Sequence, residues 1–97
     1  MSERDDVLAA LKKAAPELRR DYPIRALAMF GSVARDEAGP DSDLDMLVEF
    51  EEPVSLSAFL ALEDRLSVLT GRRVELVSRP SLKPHVGRRV LSELVPV

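Results

Sequence analysis

The apolar positions of this chain fall at helical spacing in three long segments. In residues 2–20 the apolar positions recur every three or four residues, which predicts a helix. Pro16 predicts a kink or a second start within it. Residues 55–70 repeat the pattern and end at Gly71, which suits the left-handed stop of a helix. Residues 81–94 predict a last helix with a basic outer face.

Three shorter segments alternate instead and predict strands, at residues 24–30, 43–50 and 73–78. The first is largely apolar at both parities, which predicts a strand covered on both sides. In the second, the even-numbered side chains are apolar and predict a core face, whereas two acids begin the other face. A slip of one residue would bury both acids, so the register of this strand should be firmly set.

Composition narrows the class of protein. The 97 residues predict one domain, and 45% hydrophobic with 32% charged residues is typical of a soluble globular protein. A net charge of -3 argues against a general nucleic-acid coat, and the absence of cysteine excludes disulfides and thiolate metal sites. The charged start is unlike a signal peptide and no apolar run reaches membrane-spanning length, so we expect a cytoplasmic protein without a membrane partner.

Asp43 and Asp45 open the second strand with one residue between them. Alternation along a strand points both side chains the same way, with their Cα atoms about 6.6 Å apart. Carboxylates at that spacing can converge on one or two divalent cations, and without metal at least one acid would resist ionising. Taken alone, the residues leave open a plain turn followed by a strand.

Gly31 and Ser32 follow the first strand, and ten residues separate Ser32 from Asp43. The missing side chain of Gly31 lets the backbone approach a ligand closely, and residues 32–35 fit one or two turns of helix. The free N–H groups at the start of such a helix form an anion site, which Arg35 could extend to a phosphate. An ordinary strand-to-helix junction with Ser32 as N-cap, and a solvated Arg35, remain open.

Glu75 is a lone acid inside the third strand, where it needs a partner or a solvated cavity. If this strand lies beside the second, Glu75 arrives next to Asp43 and Asp45, as a third carboxylate that holds a metal or takes the acceptor proton. The alternative is an ion pair with Arg72 or Arg73 on an exposed face.

These residues resemble the signature of the DNA polymerase β-type nucleotidyltransferase superfamily. The runs at residues 27–35 and 40–48 are similar to the minimal nucleotidyltransferases (MNT proteins) of prokaryotes, the group of the MntA-like antitoxins. Similarity extends through residues 71–77 and 82–84, and so covers nearly the whole chain. Two departures are Asp36, where Gly is usual, and Glu75, where a shorter Asp is usual.

The resemblance implies an α/β (α+β) fold of α-β-α-β-α-β order, with a small mixed three-stranded sheet flanked by helices and a C-terminal helix. It also implies transfer of a nucleoside monophosphate, AMP from ATP, with two Mg²⁺ ions about 3.5–4 Å apart. Asp43 and Asp45 would bridge the ions, Glu75 would serve the ion nearest the nucleophile, and Gly31 with Ser32 would hold the β- and γ-phosphates.

Similar proteins are antitoxins paired with HEPN-domain toxins, and some add AMP to a tyrosine of the toxin. The resemblance therefore implies an enzyme that modifies a HEPN-domain partner. A non-enzymatic antitoxin that binds nucleotide, or nothing, and masks its partner is the alternative. An antibiotic-modifying nucleotidyltransferase is disfavoured, since we expect no acceptor-binding domain at this length.

Overall fold

Four strands form one mixed sheet in the order β3-β2-β1-β4. The structure, a computed structural model, describes residues 2–39, 41–79 and 84–97, apart from the side chains of residues 84–87. β1 and β2 are antiparallel, as are β1 and β4, whereas β2 and β3 are parallel. The elements follow one another as α1 (Glu3–Asp21), β1 (Ile24–Phe30), α2 (Gly31–Ala34), β2 (Leu44–Phe50), α3 (Leu56–Thr70), β3 (Val74–Ser78), α4 (Pro84–Ser92) and β4 (Val95–Pro96).

The fourth strand corrects the predicted sheet of three. β4 has two residues and pairs with β1 through Val95 opposite Met29 and Pro96 opposite Ala28. Two residues cannot show an alternating pattern, and Pro96 lacks the N–H that a strand inside a sheet would need. The strand therefore lies at the sheet edge, where proline is tolerated. α4 ends at Ser92, two residues before the predicted end; residues 81–83 lie outside the described part of the chain.

α1 runs as one helix through Pro16, which excludes a second start there, whereas the other expected outcome, a kink, stays a prediction. Ser2 caps it by accepting a hydrogen bond from the Asp5 N–H at 3.1 Å, and acids in the first turn suit the positive end of the helix dipole. α3 begins with Ser55, which accepts from the Ala58 N–H at 3.1 Å, and ends at a left-handed Gly71 as predicted.

One buried cluster joins α1 and α3 to a single face of the sheet. β2 contributes the even-numbered side chains that the alternation predicts, which fixes the odd-numbered acids on the other face. In β1 the register shifts between Ile24 and Ala26, so a bulge at Arg25 turns Ile24 toward the core. Strict alternation predicts Ile24 on the face of Ala26, Ala28 and Phe30, opposite Leu27 and Met29, and this prediction is wrong for Ile24. The fully buried large side chains are Leu11, Leu18, Met29, Val33, Leu44, Met46, Val48, Leu62 and Leu66.

α3 closes the outer edge of β3. The Val74 N–H donates to Ser67 Oγ at 3.0 Å and the Leu76 N–H donates to Glu63 Oε2 at 2.8 Å. These side chains satisfy backbone donors that a further strand would otherwise use, and they hold β3 in fixed register against α3. Over the described residues, no helix combines the length and apolar character that crossing a membrane requires.

Candidate active site

The sheet brings the predicted acids together. Asp45 in β2 lies directly opposite Glu75 in β3 and opposite Phe30 at the end of β1. Asp43 precedes β2 by one residue, and the Leu44 N–H beside it donates to the Arg73 carbonyl at 2.8 Å. Asp45 is half-buried, whereas Asp43 and Glu75 are exposed. The half-buried acid thus lies between the strand that leads into the Gly31–Ser32 segment and the strand that carries the third carboxylate.

The three carboxylates act on one another. The pKa of Asp45 is raised above its ordinary value, first because the carboxyl is partly removed from water and then because Glu75 and Asp43 are negatively charged neighbours. A side-chain hydrogen bond with Glu75 raises this pKa further, and the positive charge of Arg35 offsets part of the effect. The prediction that one acid of the site resists ionising is confirmed at Asp45.

Gly31 lies against the Asp45 carboxylate. Its φ of 76° is in the left-handed region, where a side chain is strained. A Cβ at this position would collide with Asp45 Oδ2 and would lie 3.2 Å from Asp45 Cγ and 3.3 Å from its Cβ. Two independent constraints therefore require glycine here, and the second links the bend after β1 directly to the acid at the centre of the site.

The first turn of α2 begins without a side-chain cap. Its N-cap is Phe30 in an extended conformation, and no described side chain accepts from the free backbone N–H groups of the turn. Ser32 lies inside the helix, so the alternative of Ser32 as N-cap is wrong. The Glu37 N–H donates to the Ser32 carbonyl at 2.8 Å and thereby closes the turn. Uncapped N–H groups beside three carboxylates suit a ligand that combines phosphate with a cation.

Arg35 follows α2 and is held by two acids. Its Nε donates to Glu37 Oε2 at 3.1 Å, and its Nη1 donates to Glu93 Oε2 at 3.0 Å. Its charge nevertheless reaches Asp45, whose pKa it lowers. Arg35 is an exposed residue with two acidic partners, so the alternative of a solvated surface arginine stays open, and its role toward phosphate stays a prediction.

Neither arginine near Glu75 neutralises it. Arg72 bonds to Glu3 Oε1 at 2.7 Å and to the Ser42 carbonyl at 2.6 Å, so it tethers the loop before β2 to α1. Across the described residues, Arg73 forms no ion pair, and Glu75 forms none with either arginine. The alternative in which Glu75 is a paired surface acid is wrong, which leaves its carboxylate available to a ligand.

A polar cavity of about 190 Å³ opens beside these acids at the β3 edge. Sequence reasoning missed Glu63, because its position on α3 reads as a solvated helix surface and only the bond to the Leu76 N–H brings it here. A larger apolar cavity of about 640 Å³, which includes Phe50 and Phe59, has no carboxylate among its lining residues. The polar cavity is lined by Asp43, Glu63, Arg73, Val74 and Glu75.

The three acids offer oxygen ligands of the kind that Mg²⁺ takes, but as an incomplete set. Within the described part of the chain, no three or more His, Cys, Asp or Glu side chains are already gathered as a complete metal-binding group. Mg²⁺ in phosphate-transferring sites takes one or two carboxylates and completes its shell with substrate phosphates and water. The pKa of Asp45 is raised first by burial and then by the negative charges of Glu75 and Asp43, and a cation would oppose the second of these causes. A Mg²⁺ ion at Asp43, Asp45 or Glu75 would therefore need further ligands from the substrate or water.

Comparisons with known proteins agree with this geometry. The family model described as "Nucleotidyltransferase domain" matches residues 11–97. Protein adenylyltransferase MntA of Thermococcus cleftensis is 45% identical over 95 residues, which cover 98% of this chain and 93% of that protein. A solved minimal nucleotidyltransferase is 40% identical, with a TM-score of 0.75 over 100% of this chain and 97% of that one. A structure of a tri-AMPylated HEPN toxin of Shewanella oneidensis with an MNT antitoxin shares the fold, at 20% identity and a TM-score of 0.69 over 93% of this chain and 70% of that one.

Proposed function

This chain belongs to the nucleotidyltransferase domain family, and from that premise we propose that it transfers AMP from ATP to a hydroxyl group of a partner protein in the cytoplasm. The single observation that carries the proposal is the position of Asp45, between Glu75 on β3 and the backbone of Gly31. In the proposal, Asp45 belongs to the cation site and the bend at Gly31 to the phosphate site, so the two sites are adjacent. The name of the Thermococcus relative, a protein adenylyltransferase, supports AMP as the group and protein as the acceptor.

In the proposed reaction the acceptor oxygen attacks the α-phosphorus of ATP and forms a new P–O bond. The bond from that phosphorus to the oxygen bridging to the β-phosphate breaks, and pyrophosphate leaves with the electron pair. Asp43 and Asp45 would hold two Mg²⁺ ions, with Glu75 at the ion nearer the acceptor. When bound, Mg²⁺ neutralises negative charge on the phosphate oxygens and stabilises the attacking and leaving oxygens.

The remaining groups orient the two substrates. The N–H groups of the α2 first turn hold the β- and γ-phosphates, and Arg35 adds a cation on the same side. Glu75 is exposed at the polar cavity, from which the acceptor hydroxyl approaches, and it accepts the hydroxyl proton. Since α3 closes the outer edge of β3, a macromolecular acceptor reaches the site in this proposal through the polar cavity beside Glu75.

A HEPN-domain toxin is the proposed partner, which makes this chain the antitoxin of the pair. The MNT antitoxin that shares this fold is bound to a tri-AMPylated HEPN toxin, which supports both the partner class and the modification.

The decisive experiment mixes the protein with a HEPN-domain protein from the same genome, Mg²⁺ and ATP labelled at the α- or the γ-phosphate. We expect the α-label to reach the partner and the γ-label not to, because AMP transfer releases the γ-phosphate within pyrophosphate. Asp43→Asn should abolish labelling. Asp64→Asn is the matched control, since it changes an exposed aspartate of α3 in the same way. If the two proteins bind tightly but the partner takes up no label at any Mg²⁺ concentration, the enzyme hypothesis is refuted and a masking antitoxin is supported.

A further inference from the structure

Glu93 lies far from the acids in sequence yet contacts Arg35, whose charge acts on Asp45. Its Oε2 accepts from Arg35 Nη1 at 3.0 Å, across 58 positions of the chain. Glu93 is placed by the turn that follows α4, where its N–H donates to the Val90 carbonyl at 3.0 Å. Its side chain is 27% exposed, so the ion pair is partly shielded from water.

The fourth strand fixes this position. Val95, two residues after Glu93, pairs with Met29 in β1, and the Val97 N–H donates to the Leu27 carbonyl at 3.0 Å. β1 leads directly into α2 and Arg35, so the same strand that carries the Gly31 bend also anchors the segment that carries Glu93. Glu93 and Arg35 are therefore held in one rigid frame.

Two acids fix the plane of the Arg35 guanidinium. Glu37 accepts a hydrogen bond from Nε–H of Arg35, and Glu93 accepts one from Nη1–H. The Nη2 of Arg35 has no partner among the described residues. A guanidinium is planar with five N–H donors, so anchoring two of its nitrogens sets the direction of the third. A free arginine loses side-chain entropy when it binds a phosphate, whereas an arginine already held in place loses less.

We propose that Glu93 is a positioning residue, which orients the Arg35 guanidinium so that its free Nη2 edge binds a phosphate group of the nucleotide. The inference rests on the proposed function for the identity of the nucleotide. It assigns a role to the C-terminal segment, whose β4 strand brings Glu93 to the site. Glu37 holds Arg35 from two residues away, whereas Glu93 ties it to the segment that leads into β4.

The test measures KM for ATP in the transfer reaction and the equilibrium binding of a non-hydrolysable ATP analogue. Glu93→Ala should raise both about 3- to 10-fold, the cost of immobilising one arginine side chain. KM for the acceptor protein and the rate at saturating ATP should not change. Glu93→Gln keeps the length and an acceptor oxygen, and should restore most of the affinity.

A double-mutant cycle identifies the route of the effect. In an Arg35→Ala background, Glu93→Ala should cause no further loss, because Glu93 acts only through that guanidinium. Glu49→Ala is the matched control: Glu49 is 25% exposed and also pairs with two arginines, Arg25 and Arg79, yet it lies toward the far end of β2 from Asp45. It should leave ATP affinity unchanged.

Three results would overturn the inference: unchanged ATP affinity in Glu93→Ala, tighter ATP binding, or a loss that persists without Arg35. Tighter binding would mean that Glu93 competes with phosphate for Arg35 instead of orienting it. Binding of the ATP analogue is measured without any AMP transfer. A wild-type protein that binds the analogue but labels no acceptor would therefore refute the proposed function, while the effect of Glu93→Ala on analogue affinity would still test the role of Glu93.

Discussion

Replacing Gly31 by alanine, with Gly71→Ala beside it, separates two costs: the strain of a side chain at a left-handed φ and the collision of that side chain with Asp45. Gly31 and Gly71 both have left-handed backbones, with φ of 76° and 68°. A Cβ at Gly31 collides with the Asp45 carboxylate, whereas a Cβ at Gly71 meets nothing within 4 Å. Gly71→Ala is thus a matched control that carries the backbone cost and no contact with the acids.

The expected magnitudes differ for stability and for activity. Placing alanine in the left-handed region costs about 1–2 kcal/mol, and the stiffer unfolded chain returns about 0.4–1 kcal/mol. Both variants should therefore lose about 1 kcal/mol of unfolding free energy, or about 4–8 °C in Tm for a domain of this size. In Gly31→Ala the Asp45 carboxylate must also move by about 1 Å, and a misplacement of that size can cost about 100-fold in rate.

Two assays check this reasoning. Urea unfolding gives the stability of each variant, and transfer of α-labelled AMP at saturating ATP, at a temperature where both variants are folded, gives activity. We expect similar stability losses and a rate loss confined to Gly31→Ala. If Gly31→Ala transferred AMP at the wild-type rate, the contact between residue 31 and Asp45 would not be what positions the Asp45 carboxylate. An equal rate loss in Gly71→Ala would attribute the effect to the fold.

Three further results are expected. The pKa of Asp45 is raised from 3.8, so the folded state holds this proton more tightly than the unfolded state, and ionisation disfavours folding. In metal-free urea unfolding, wild type should lose stability relative to Asp45→Asn as pH rises from about 3.8 through the raised pKa; a difference independent of pH would contradict this. Mg²⁺ with a non-hydrolysable ATP analogue should raise the Tm of wild type more than that of Asp45→Asn, since ligand binding stabilises the folded state by mass action; equal shifts would remove Asp45 from the metal site. Leu66→Ala, at a side chain 0% exposed, should cost about 2–5 kcal/mol by urea unfolding. Val68→Ala, 79% exposed on the same helix, should stay within about 0.5 kcal/mol, and similar losses at both would contradict the assigned core face.

Most of the secondary structure could be predicted because its signals are local. The alternation in β2 fixed which side chains face the core, and therefore which face the acids share. The apolar spacing over residues 55–70 and the stop at Gly71 bounded α3 to within a residue. Such features depend on neighbours a few positions away, whose spacing follows from the geometry of a helix or strand.

The failures of prediction have a different cause. The bulge at Arg25 depends on how β1 meets β2, and β4 is a strand only because β1 offers it an edge. The contact of Glu93 with Arg35 spans 58 positions and leaves no periodic trace in the sequence. Each of these features is set by a partner that is distant along the chain.

The sequence by itself determined the helices, the three longer strands, the pair of acids on one strand face, and a glycine followed by serine at the end of another strand. Only the tertiary structure decided that Glu75 lies opposite Asp45 and that Gly31 touches the Asp45 carboxylate. Spacing along one strand is fixed by covalent geometry, whereas distances between strands depend on sheet order and register, which the packing of the whole core selects.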